Sequence, residues 1–143
     1  MKKLILLLLL VPSLSFAADK QFVVNHLVSY HPDVRTYNEN NPGLAYRQYS
    51  DDTFMAIGTY KNSINRQSAY AGVGYDVAKI SNVTASVTAG LITGYYVKVA
   101  PFIIPEVSVD FNGLKLIVNY IPKITIGKMT VDAAFGFSAG IRF

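Results

Sequence analysis

Few side chains of this sequence are equipped for chemistry near neutral pH. There are two histidines, His26 and His31, and no cysteine, so a general base is an imidazole and a nucleophile is a hydroxyl. His31 sits directly before Pro32, which places it in a connection rather than a regular element. The stretch YKNSINRQSAYAGVGYD, Tyr60 to Asp76, carries Lys61, Asn62, Ser63 and Arg66. A serine beside an imidazole can act as a nucleophile or a positioning hydroxyl, and Lys61 and Arg66 can meet phosphate. Each has a plainer reading: His26 as a core or interface histidine, Ser63 as a loop serine, and the two cations as solubilising rim charges. No metal-ligand constellation, phosphate-cradling glycine loop or nucleotide motif is present, so neither metal nor cofactor is expected.

What positions these residues must be read from the rest of the chain. Residues 1–17, MKKLILLLLLVPSLSFA, have two lysines, an apolar run too short to span a bilayer, and a small-residue cleavage site at Ser15-Phe16-Ala17. They are expected to be a secretory signal peptide. Cleavage after Ala17 leaves 126 of the 143 residues, 18–143, enough for one domain. Loss of Lys2 and Lys3 lowers the formal charge from +4 to +2. With no basic run to track a phosphate backbone, nucleic acid is not an expected partner. The absence of cysteine excludes disulfides and a lipoprotein anchor.

Beyond Val11 no apolar stretch is long enough for a membrane helix, yet the chain carries 10 tyrosines and 8 phenylalanines. Its pattern is that of strands. Val83, Ala85, Val87, Ala89 and Leu91 alternate with Thr84, Ser86, Thr88 and Gly90; Ala69, Ala71, Val73, Tyr75 and Val77 alternate with Ser68, Tyr70, Gly72, Gly74 and Asp76. From Met129 to Phe143 one face is apolar throughout and the other small or polar. The chain stops there on an aromatic residue, as bacterial outer-membrane barrels do, with Ser138 where that C-terminal signal usually has glycine. The predicted strands are 22–30, 43–50, 53–61, 67–77, 83–93, 101–111, 114–121 and 129–143, separated by turn signals such as Asn40-Asn41-Pro42-Gly43 and Asn112-Gly113. Eight strands are the smallest number for a bacterial outer-membrane barrel. A lipocalin-type soluble barrel would show a polar outer face; here the uniformly apolar face belongs to strands whose other face is small. The expected fold is therefore all-β: an eight-stranded antiparallel transmembrane β-barrel of outer-membrane type.

With both termini on the periplasmic side, Phe102 and Ile104 fall in the outer half of the lumen. Glu106, Ser108 and Asp110 fall in the inner half, with Lys115 low and Arg47 deep enough to meet the carboxylates. The lower lumen reads as an ion-paired plug and the upper lumen as apolar. Gly72 and Gly74 send no side chain inward and leave space at mid-depth, or serve only to fit a narrow barrel. Pro101, Pro105 and Pro122 lie in or beside neighbouring strands and cannot complete the ladder. They either open lateral gaps near the outer end or merely terminate strands.

The ordered landmarks YNENNPGLAYR, YKNSINRQSAYAGVGYD, TAGLITGYY, IIPEVSVDF and VNYIPK resemble those of the lipid A palmitoyltransferase (PagP) family. There, Tyr-Asn-Glu, Lys-Asp-Ser-x-Asn-Lys, Ala-Gly-Tyr-Gly, Thr-Ala-Gly, Leu-Pro and Thr-Tyr-Ile-Pro follow in that order. The resemblance implies an enzyme moving a palmitoyl-like chain from phospholipid to lipid A, without cofactor. It implies His26 as the catalytic histidine and Ser63 as its serine, assisted by Asn62. It further implies Gly74, with Gly72, as the floor of an acyl cavity, and Pro105 and Pro122 as the borders of two gaps that admit lipid. Two departures stand out: Asn62 replaces the family's aspartate, and the amphipathic helix before strand one is missing. The expected partners are phospholipid and lipid A in a Gram-negative outer membrane, the chain acting as a monomer. The alternative is a non-catalytic lipid-binding or structural outer-membrane barrel affecting permeability or surface recognition.

Overall fold

The computed structural model describes residues 20–33, 36–126 and 129–143; the expected signal peptide, 1–17, lies outside the described residues. Eight strands close a barrel: β1 (Lys20–Tyr30), β2 (Asn40–Ser50), β3 (Thr53–Lys61), β4 (Gln67–Ile80), β5 (Val83–Ile92), β6 (Ala100–Phe111), β7 (Leu114–Ile121) and β10 (Ala134–Arg142). Each is antiparallel to its chain neighbour, and β1 pairs with β10 to close the cylinder. Two short strands, β8 (Ile124–Ile126) and β9 (Met129–Val131), form a separate hairpin between β7 and β10.

The period-2 pattern decides which way each strand faces. Val73, Val77, Leu91, Ile103, Leu116 and Ile141 are exposed on the outside, while Ser68, Thr84, Ser86, Thr88, Ser108 and Ser138 are buried inside. An apolar girdle around a polar-to-small interior is the inverse of a water-soluble barrel and suits hydrocarbon. The two ends differ as well. One carries tight two-residue turns at 51–52, 81–82 and 112–113; the other carries the longer connections 31–39, 62–66, 93–99 and 122–133. Asn112 and Gly113 both have positive φ, 51° and 96°, the type I′ combination whose twist matches that of paired strands.

Three strand boundaries differ from the sequence reading by three residues or more. The expected strand 129–143 is two elements, because the chain leaves the hairpin at Val131 and joins the wall only at Ala134. The apolar/small alternation runs unbroken through that junction, so periodicity could not reveal it. β2 begins at Asn40, so Asn-Asn-Pro-Gly lies inside a strand; the β1–β2 ladder shifts register between His26 and Val28, leaving Pro42 in the irregular step. β4 continues to Ile80 past a bulge between Asp76 and Ala78.

The middle of the lumen is solid. Arg47 of β2 donates two hydrogen bonds to the Glu106 carboxylate of β6, at 2.6 and 2.9 Å, and both residues are buried. The guanidinium carbon lies 5.0 Å from the Phe54 ring centre. Lys115 does not pair with a carboxylate as the reading of a fully ion-paired plug anticipates. Its ammonium sits 4.9 and 4.7 Å from the Phe22 and Tyr49 ring centres, a favourable cation–π setting. Asp110 instead accepts from the Gly113 N–H at its own turn. Beyond these residues the turn end opens into a polar cup of about 700 Å³.

The two glycines also behave differently from expectation. A Cβ on Gly74 would collide with the ring of Phe54, which occupies that space from β3; on Gly72 it would meet the backbone of Ala89 and Gly90 on β5. Gly74 therefore accommodates a ring and Gly72 a close strand approach, and neither floors a hollow. We expect Gly74→Ala to destabilise the barrel by about 1–3 kcal/mol through overpacking. The cost should largely vanish in a Phe54→Ala background, read by urea unfolding in lipid vesicles. Equal cost in both backgrounds would contradict the packing described.

Candidate functional site

Above the plug, His26 projects from β1 into the lumen. Its cross-strand partner on β10 is Ser138, and Nδ1 lies 2.9 Å from the Ser138 hydroxyl. Nε2 lies 2.9 Å from the Tyr70 hydroxyl, which reaches across from β4. Tyr70 can lean that far because Gly58 stands beside it in register: a Cβ there would fall 2.7 Å from the tyrosine ring. Tyr60 packs against both the imidazole and Tyr70, ring centres 5.3 and 6.2 Å apart. Each ring nitrogen thus has a hydroxyl partner, and neither partner is Ser63.

Two cavities meet in this upper half. The deeper one, about 90 Å³, is lined by His26, Ser138, Tyr70, Thr88, Glu106 and Asn119, with Tyr60, Phe102 and Ile104 above them. The second, about 140 Å³, is largely apolar and lies between Phe102, Ile103, Ile104, Ile121, Pro122 and the β8–β9 hairpin. Tyr60, Ser63, Ile92, Tyr95, Phe102, Ile104 and Ile121 line both. Together they are smaller than the several hundred Å³ of an ordinary ligand pocket, so an occupant must displace the shared side chains.

The apolar cavity lies at a break in the wall. β6 and β7 are paired only from Phe111↔Leu114 up to Glu106↔Asn119, although both strands continue. Continuing the register would set Pro105 opposite Tyr120 and Ile103 opposite Pro122. The Asp110 N–H bonds Asn82 on the β5 side; alternation then aims the backbone nitrogens of Pro101, Ile103 and Pro105 toward β7. Two of those three have no hydrogen to give, and neither has Pro122, the residue just past the end of β7. β5 and β6, by contrast, pair along their whole shared length, Val83↔Val109 to Ile92↔Ala100. The resemblance implies two proline-bordered gaps; among the described residues Pro105 and Pro122 border the same single seam.

The remaining expected site residues fall as follows. Ser63 lies at the loop end and shares both cavity walls with Tyr95, whose hydroxyl meets that of Tyr60 at 3.0 Å. It lines both cavities without touching the imidazole. Asn62 is fully buried and fully committed: Oδ1 accepts from the N–H groups of Ile64 and Arg66, and Nδ2 donates to Ser68 Oγ and the Gly94 carbonyl. It fixes the 62–66 loop to the 93–99 connection and has no group left to orient a base. Lys61 and Arg66 are exposed at the rim. Gly72 and Gly74 line neither cavity. His31 follows β1 and lines the second cavity but not the one around His26, its ring 4.8 Å from that of Tyr37 and its Nδ1 3.8 Å from Glu39; burial pulls its pKa down, against the Glu39 carboxylate.

The residues that sequence reasoning missed are Ser138 and Tyr70. The signal was present: both fall on inward-facing sets, and Ser138 replaces the glycine usual at its place. Asn62 gives a test of its own. Asn62→Asp keeps the acceptor but turns a carboxylate on the Gly94 carbonyl and loses the N–H bond to it. We expect a loss of about 1–3 kcal/mol, seen as a lower unfolding midpoint and faster proteolytic nicking at 62–66. Unchanged stability would show that this residue does not hold the loop.

No protein-family model and no curated protein matches the chain. Among solved structures, one described as "De novo design of transmembrane beta-barrels" superposes with a TM-score of 0.62 at 14% identity, covering 88% of this chain and 97% of that one. Likeness at that identity concerns the fold alone, and in fold this chain is a transmembrane β-barrel.

Proposed function

We propose that this chain is an outer-membrane, lipid A acyltransferase-like barrel that takes a fatty acyl chain sideways from the bilayer into its upper lumen. On this reading it passes the chain from phospholipid to lipid A. The observation that carries the reading is the β6–β7 seam: a wall facing hydrocarbon leaves backbone unpaired there, at a cost, and an apolar cavity behind it shares walls with the pocket around His26. In a bacterial barrel the longer connections face outward, which sets Lys61 and Arg66 where lipid phosphates stand. His26 supplies the base.

A second reading, lipid binding without turnover, is favoured by one observation: the expected trio does not assemble, since Asn62 holds its loop and both nitrogens of His26 meet hydroxyls other than that of Ser63. Mass spectrometry of lipid A from cells producing the chain separates the two. Added acyl mass that disappears with His26→Ala is the expected outcome; no added mass in cells where the barrel is folded would leave the binding reading alone.

The seam has its own test. Cysteines placed at 103 and 122, joined by a reducible bifunctional thiol reagent, should block uptake of a fluorescent acyl phospholipid into the lumen, and reduction should restore it. Undiminished uptake with the seam tethered would mean that lipid does not pass there.

A further inference from the structure

Catalysis by a hydroxyl needs a base within hydrogen-bond reach and something to hold that base in orientation. The lumen contains this arrangement, but not where the sequence resemblance points. Ser138 Oγ is 2.9 Å from His26 Nδ1, and His26 Nε2 is 2.9 Å from the Tyr70 hydroxyl. With the ring hydrogen on Nε2, Tyr70 accepts it and Nδ1 is left to accept the Ser138 hydroxyl proton. All three residues line the same cavity.

The cavity also holds polar groups that nothing in the fold uses. Thr88 Oγ1 and Asn119 Oδ1 are buried without a hydrogen-bond partner, and both residues line the space beside Ser138. Thr88 is 5% exposed. Unpartnered buried polar atoms are costly; the Thr88 hydroxyl can donate to an ester carbonyl as charge develops on it, and Asn119 Oδ1 can accept from the hydroxyl of an acyl acceptor. The buried Arg47–Glu106 pair closes the space from below, so any ligand comes from the seam or the mouth.

We infer that Ser138 is the nucleophile of an acyl transfer inside the lumen, with His26 as its base. The substrate class is a long-chain oxygen ester whose acyl tail leaves through the seam while its alcohol portion points to the mouth. Ser138 Oγ forms the new bond to the ester carbonyl carbon, and the bond to the alcohol oxygen breaks. His26 Nδ1 takes the serine proton and gives it to the departing alkoxide. The acyl group, now an ester of Ser138, is passed to an acceptor hydroxyl whose proton travels by the same nitrogen back to Ser138. No further reactant is needed. Tyr70 is a positioning residue, acting through the imidazole.

The inference rests on the reading that an acyl ester reaches the lumen, and its test does not require lipid A. The folded full chain in micelles, checked by its heat-modifiable migration, is treated with a long-chain alkyl fluorophosphonate, and the adduct is located by peptide mass. One adduct, on Ser138, is expected, forming about 100-fold more slowly in His26→Ala. Tyr70→Phe should lower kcat for a p-nitrophenyl long-chain ester about tenfold with KM unchanged. An adduct on Ser63 or elsewhere, or no adduct on folded chain, overturns the inference. Labelling of Ser138 with unaltered lipid A supports it and removes only the proposed acceptor. Lipid A acylated equally well by folded Ser138→Ala removes Ser138 and leaves the function standing.

Discussion

Hydrocarbon gives a peptide group nothing to hydrogen-bond, and this constraint shapes the whole molecule. It closes the strands into a cylinder, β1 onto β10, and makes every unpaired stretch of wall a liability. Among the described residues, the one long interruption lies between β6 and β7 beyond Glu106↔Asn119. It is built into the sequence, because Pro101, Pro105 and Pro122 withhold donors where the two strands would otherwise join. The β8–β9 hairpin stands beside this break, tied down by Lys123 to Asp132 at 3.1 Å and by Tyr37 to Asp132 at 3.1 Å.

The plug is the second determinant. A charge pair inside a narrow barrel is tolerated because it is bidentate and hydrogen-bonded, and Arg47 with Glu106 meets that condition. The pair divides the lumen into a polar cup at the turn end and a small, mostly apolar upper half. A continuous water path is thereby blocked at mid-depth. The division also explains why His26, Ser138 and Tyr70 form an isolated polar island: wetter residues lie below them and aromatic and aliphatic ones above.

Much of this was legible in the chain. Strict alternation in β5 and β7 gave the inward and outward faces residue by residue, since a period of two leaves no ambiguity once one face must meet lipid. Arg47 and Glu106 could be set at similar depth by counting along their strands. The proline cluster indicated the seam, although not that its members border a single one. What alternation cannot supply is what fills the space opposite a small residue. Gly74 reads as a vacancy until Phe54, on the adjacent strand, is seen lying over it. Asn62 reads as a weakened catalytic residue until its four hydrogen bonds are found within the loops. Ser138 is 112 positions from His26, and only barrel closure makes them neighbours. The hairpin was hidden because its strand pattern continues in phase into β10.

The central claim is that acyl chains pass from the bilayer through the β6–β7 seam. The most direct measurement reconstitutes the chain in vesicles of phospholipid carrying a photoactivatable diazirine near the acyl terminus and maps the adducts by mass. The account predicts adducts concentrated on the inward or seam-lining residues Phe102, Ile104, Ile121 and Pro122. Adducts confined to the outward girdle, Val73, Leu91 and Leu116 among them, with none on those four, would contradict it.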